Sequence, residues 1–243
     1  MHYVMICLGM GLLATCGSPV SVEADSDSAD TYADLRIAGA MRNVMWRGEL
    51  DGIVALDSLQ QPGTYAVGPL AGLRGEILLA DGVPWVSRVA PDSSVTVTKM
   101  PEATAPFLVY ARVREWRTVD LPSTVVDLPT LEHFVNEQTR TAKRPFCFRL
   151  VGTVDAARTH VQNLTPGSRV RSPPEAHAGQ VKYALEDQPA EIVGFFSTEH
   201  AGVFTHHDTY LHLHLLTDDR THLGHVDALT LRPSRLKLYL PVR

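Results

Sequence analysis

Between Thr209 and Thr217 the sequence TYLHLHLLT alternates with a period of two, and no other stretch constrains the fold as tightly. In a strand, successive side chains point to opposite faces, so Leu211, Leu213 and Leu215 go one way and His212 and His214 the other. If the next residues, TDDRT (217–221), hold a four-residue turn at 218–221, antiparallel register sets position 214 opposite 225, and His225 joins the pair. Directly opposed Cβ atoms lie about 5 Å apart and zinc sits about 2 Å from each imidazole nitrogen, so three such rings can converge on one ion. A slip of one residue in the turn would break this arrangement, and an isolated strand histidine is ordinarily a polar face or a satisfied core group.

Three neutral imidazoles suit zinc, nickel or iron, and three protein ligands leave positions open for water or substrate. Zn2+ at His212, His214 and His225 is therefore the expected cofactor. His206 and His207, in Phe204-Thr205-His206-His207-Asp208, precede the strand on a loop and are read as the rim of the pocket. His200 and His222 are read as surface or turn residues.

The composition is that of a folded chain, with 44% apolar and 20% charged residues in 243, enough for one large domain or two small ones. A net charge of −5 supplies no basic field for a nucleic acid, which excludes that class of partner. Histidine is the compositional outlier: seven of the 11 fall between His200 and His225.

The first 16 residues read as a lipoprotein-type signal. Tyr3 to Thr15 is uncharged and too short to cross a bilayer, and Leu13-Ala14-Thr15-Cys16-Gly17 resembles a bacterial lipobox, with Cys16 the lipidated residue. An ordinary cleaved signal and a buried N-terminal helix remain the alternatives. Residues 17–33 are polar, with four acids and no base, and read as a solvated tether carrying most of the net charge. The expected location is outside the cytoplasm, in the bacterial cell envelope or periplasm, with a lipid anchor as the sole membrane contact. Cleavage before Cys16 leaves Cys147, in Phe146-Cys147-Phe148, as the one thiol, read as a small buried hydrophobe.

The remainder divides into residues 34–144, an α+β sub-domain, and 145–243, a β-rich sub-domain that holds the metal hairpin. Leu35, Ile37, Met41, Val44 and Met45 make a loose helical stripe, and Leu128 to Arg140, with Pro129 in its first turn, is a second helix. EILLADGVPWVSRV is a hairpin around Asp81-Gly82, followed by strands in SVTVTK and PFLVYARV. FCFRLVGTV, QVKYALED, AEIVGFFS, TYLHLHLLT, THLGHVDAL and RLKLYL are strands separated by Pro, Gly and Asp breaks. The fold class is α+β, with mixed or antiparallel sheets and few helices.

Taken together, these segments resemble a known family. GFFSTEHAGVFTHHDTYLHLHLLTDDRTHLGHVDALTL is similar to the zinc-binding stretch of α-acetolactate decarboxylases, with the H-x-H, ten-residue gap, H pattern at His212, His214 and His225. MRNVMWRGELDG, YAVGPLAGLRGEILLADGVPW, TAPFLVYARV and FCFRLVGTV follow in the family's order, so the resemblance covers nearly the whole exported chain. It implies a two-part α+β fold and decarboxylation of 2-acetolactate, or a related 2-hydroxy-3-oxo acid, to acetoin and CO2. The metal then acts as a Lewis acid that stabilises the enediolate. It also implies two catalytic residues: Glu76, in Leu73-Arg74-Gly75-Glu76, for proton transfer, and Arg149, in Phe148-Arg149-Leu150-Val151-Gly152-Thr153, for holding the carboxylate. The chain departs from the family where a threonine of a G-T-F element is replaced by Pro69, and in ending before the position of a C-terminal glutamate.

Two other functions fit the same histidines. A non-catalytic zinc-binding envelope lipoprotein would close the site with a fourth ligand such as His206 or His207. A cupin-like metalloenzyme would bring Asp218 or Asp219 to the metal, although cupins place a glycine where this chain has His206. The expected partners are the small-molecule substrate and, as protein partner, a second copy of the chain in a homodimer.

Overall fold

The computed structural model describes residues 1–2, 35–142, 144–206 and 208–242. The proposed signal with Cys16, the tether and His207 lie outside the described residues. The described chain begins with β1 (Arg36–Ala38), α1 (Met41–Arg47), β2 (Val54–Ala55), β3 (Thr64–Pro69), β4 (Glu76–Ala80), β5 (Val83–Val89), β6 (Val95–Lys99), β7 (Thr104–Ala105) and β8 (Leu108–Arg112). It continues with β9 (Trp116–Val119), α2 (Leu128–Gln138), β10 (Phe146–Val161), α3 (Pro173–Ala176), β11 (Val181–Phe196), β12 (Leu211–Thr217), β13 (Leu223–Thr230) and β14 (Leu236–Pro241).

Local chemistry explains where these elements start and stop. The β4–β5 hairpin turns at Asp81 and Gly82 with φ of 50° and 77°, the paired positive values that two-residue hairpin loops require and that Asp-Gly adopts readily. The stripe from Leu35 to Met45 is not one helix. Gly39, at φ 68°, separates strand β1 from α1, so the apolar residues before it pair on a sheet edge instead. Asp127 caps α2, its carboxylate accepting from the Thr130 N–H at 3.0 Å, while Pro129 occupies the first turn, where no intrahelical donor is lost. QVKYALED and AEIVGFFS join into the single strand β11, with Pro189 inside the ladder opposite Thr153.

The strands form two six-stranded antiparallel sheets in the orders β1-β8-β3-β4-β5-β6 and β11-β12-β13-β10-β14-β9, with β2 and β7 as a small separate pair. The second sheet closes on itself, because β10 pairs with β11 along one edge and with β13 and β14 along the other. The change from one sheet to the other falls between Arg112 and Trp116, earlier than the 144/145 division read from the sequence. The reason is that β9 pairs with β14, and α2 packs its Leu131 and Val135 into the second sheet's core.

The alternation in β12 sorts its side chains as expected. Leu211, Leu213 and Leu215 join Phe146, Phe148, Ile192, Phe196 and Leu238 in one cluster. The other face of the closed ring, with Cys147, Val193, Phe195, Leu216 and Leu223, packs on Tyr65, Val67, Leu78 and Val109 of the first sheet. His212 and His214 therefore point into the layer between the sheets, toward β4.

Candidate metal centre

The hairpin register is the one the spacing predicts: His214 opposes His225, and residues 218–221 form the turn. His212 Nε2 and His214 Nε2 lie 3.2 Å apart, and the His225 ring centroid is 5.0 and 5.4 Å from theirs. One nitrogen from each of the three rings falls within a 4.8 Å cluster. Two nitrogens on a tetrahedral zinc, each about 2.0–2.1 Å from the ion, would be about 3.3 Å apart, so the donor pair fits such an ion without rearrangement.

Burial sets the protonation state of these rings. Desolvation pushes the titration of all three far down, His214 to about 3, with the neighbouring imidazoles adding to the effect. The neutral ring, which is the metal-binding form, is thus the resting state at neutral pH. Nδ1 of His212 and of His214 is buried without a hydrogen-bond partner, although the backbone of Phe204 and of Ile77 lies close enough to offset part of the desolvation.

Glu76 opens strand β4 and is 2% exposed. Its Oε1 accepts from the Gln162 backbone N–H at 3.0 Å, and its Oε2 sits 3.7 Å from His214 Nε2. Burial raises its titration well above the carboxylate range, the Gln162 N–H opposes that, and Asp227 reinforces it. The site is therefore a three-histidine donor set with a carboxyl that favours its proton.

A cavity of about 150 Å³ reaches this group. Met41 and Met45, one turn apart on α1, contribute apolar lining with Leu73 and Phe107, and Pro69 lines it where a threonine was expected from the resemblance. Its polar lining includes Glu76, His206, His212 and His225, together with His160 and Asp227. The His160 ring lies tilted 33° to the His225 ring at 4.7 Å, opposite it in the β10–β13 ladder, and its Nδ1 is 2.7 Å from Asp227 Oδ1. Sequence reading missed His160, Asp227 and Gln162. The alternation Arg158-Thr159-His160-Val161-Gln162 carried a signal for His160 and Gln162, and His225-Val226-Asp227 one for Asp227, but only the pairing of β10 with β13 makes either meaningful.

Other expected residues sit elsewhere. Arg149 is two strands from His214 in one row, through Val193, and is not among the residues lining the cavity. Its Nε donates to Glu191 Oε1 at 2.6 Å, and its guanidinium lies 5.1 to 5.4 Å from the rings of Tyr65, Trp116 and Tyr239. The three rings and the carboxylate satisfy the guanidinium there. His222, read as a surface or turn residue, is buried, its Nε2 2.8 Å from Thr159 Oγ1, because the strand ladder carries it into the core just after the turn. His200 is half-buried and bonds Ser197 Oγ through Nδ1 at 2.7 Å. Asp218 and Asp219 are exposed turn residues and do not belong to the histidine cluster.

The sequence model of the family described as Alpha-acetolactate decarboxylase matches residues 38–240. An alpha-acetolactate decarboxylase of Brevibacillus brevis is 22% identical over 230 residues, covering 90% of this chain and 77% of that protein. The fold resembles that of alpha-acetolactate decarboxylase from Bacillus subtilis strain 168, with a TM-score of 0.67 at 20% identity, over 84% of this chain and 83% of that one. It likewise resembles a Staphylococcus aureus protein of unknown function similar to that enzyme, with a TM-score of 0.70 at 19% identity and coverage of 84% and 83%. The matched span takes in both sheets and every side chain of the centre from Glu76 to His225, and so the chain belongs to the alpha-acetolactate decarboxylase family.

Proposed function

We propose that the protein is a metal-dependent carboxy-lyase that converts 2-acetolactate, or a closely related 2-hydroxy-3-oxo acid, to CO2 and a hydroxyketone, acetoin in the first case. The observation that carries this reading is the buried trio of imidazoles, two of which, His212 and His225, line a cavity that also holds Glu76. His212, His214 and His225 would hold one divalent ion, with zinc the expected occupant. Such an ion supplies Lewis acidity to adjacent hydroxyl and keto oxygens, so that charge released as CO2 departs is delocalised.

The chain's own residues do the remaining work. When the bond to the carboxyl carbon breaks, its electron pair stays on the substrate carbon, which must then gain a proton. Glu76, whose titration burial raises and whose Oε1 is directed by the Gln162 N–H, would deliver that proton from a carboxyl oxygen beside the metal ligands. Met41, Met45 and Phe107 keep the cavity poor in water, which strengthens electrostatic interactions inside it. His206 lines the cavity, 5.4 Å from the His225 ring, and lies outside the three-nitrogen cluster, leaving room for substrate.

Purified protein should release acetoin and CO2 from 2-acetolactate and carry about one divalent ion per chain. A full complement of metal with no product would refute the reaction. The envelope location belongs to the same proposal: labelled palmitate should be incorporated in a bacterial host and lost in Cys16→Ser, and an unlabelled wild-type chain would refute the anchor.

A further inference from the structure

Two strand ends meet at the cavity with one polar face. His160 opposes Lys182 across the β10–β11 ladder, and the period of two places Gln162 and Gln180 on the same face one step beyond. All four side chains line the cavity. Gln162 is 6% exposed, and its Oε1 is buried with no hydrogen-bond partner. An amide buried beside a cavity with an unused hydrogen-bonding group is costly unless a ligand completes it, and a half-turn of the carboxamide exchanges donor for acceptor at that point.

Charge at the cavity is divided unevenly. Asp227 is engaged by His160 at 2.7 Å, and Glu76 is engaged by the Gln162 N–H at 3.0 Å. His177, also in the lining, is pushed toward neutrality by burial. Lys182 thus contributes a cation that no carboxylate in the lining neutralises through an ion pair, and it stands at the exposed end of the polar face.

We propose that Lys182 and the Gln162 carboxamide form the recognition wall that receives the substrate's carboxylate, while Met41, Met45 and Phe107 limit the size of its alkyl groups. This deepens the reading above and rests on it for the identity of the acid. The ligand class is a small monoanionic 2-hydroxy acid with short alkyl substituents. Lys182 attracts and orients the carboxylate as a point charge, and Gln162 supplies a directional hydrogen bond from a group already fixed by burial.

The test uses binding without turnover, in the metal-loaded protein. The probes are 2,3-dihydroxy-2-methylbutanoate, which lacks the keto group needed for decarboxylation, and its neutral methyl ester, both titrated by calorimetry. Lys182→Met and Gln162→Leu should each weaken binding of the acid about tenfold or more and leave the ester within about twofold, while Lys182→Arg stays within about threefold of the parent. Unchanged affinity for the acid in both variants, or equal losses for acid and ester, would overturn the proposal. Lys182 is exposed, so its variant remains informative should Gln162→Leu fail to fold. Lys182-dependent binding of the acid in a protein that leaves 2-acetolactate intact would refute the reaction proposed above and uphold this wall.

Discussion

His212 and Glu76 share one cavity, yet removing them has different consequences. His212→Ala deletes one of three ligands, so bound metal and turnover should fall together, as metal analysis beside an acetoin assay will show. Glu76→Gln preserves shape and hydrogen bonding to Gln162 but removes the proton, so metal should stay while kcat drops about 10²–10⁴-fold. Retained turnover in Glu76→Gln would remove that carboxyl from proton transfer. His222 offers an independent check on burial. Its titration is lowered to about 4 by desolvation, below the ordinary 6.5. A depressed folded-state value means stability that is present above pH 6.5 and lost as pH falls through 4, because the unfolded chain binds the proton more readily. Between pH 7 and 5 the parent should therefore lose about 2 kcal/mol more unfolding free energy than His222→Gln, measured by urea titration. Equal losses would show that His222 is not desolvated.

At the scale of elements, the β12–β13 hairpin was legible because a period-two pattern and a short turn fix register locally: His214 faces His225 as the spacing required. The Asp81-Gly82 turn and the capped helix α2 were legible for the same reason, each being specified by adjacent residues. Asp127→Ala should accordingly lower the denaturation midpoint, because the Thr130 N–H loses its acceptor. What the sequence hid depends on partners distant in the chain. His160 gains its place from ladders with Lys182 and His225, and Arg149 is drawn from the cavity by Glu191 and by rings from β3, β9 and β14. Arg149→Met would leave Glu191, 13% exposed, without its cation, and should destabilise the fold by about 3 kcal/mol in the same measurement.

For the molecule as a whole, the metal centre belongs to neither sheet alone. The closed second sheet supplies the three imidazoles and the first supplies Glu76, while a shared apolar cluster holds the two faces together. That arrangement explains why a family resemblance spread over the chain was informative where single motifs were not: the residues it joins are far apart in sequence and meet only between the sheets. The central claim is that the trio binds a metal and the metal-loaded cavity decarboxylates a 2-hydroxy-3-oxo acid. The most direct test follows CO2 and acetoin release from 2-acetolactate by protein that has been stripped with a chelator and then reloaded with one equivalent of zinc. The account predicts turnover that vanishes on stripping, returns on reloading and never appears in His212→Ala. Reloaded wild-type protein that binds its zinc at the three histidines and releases neither product would contradict it.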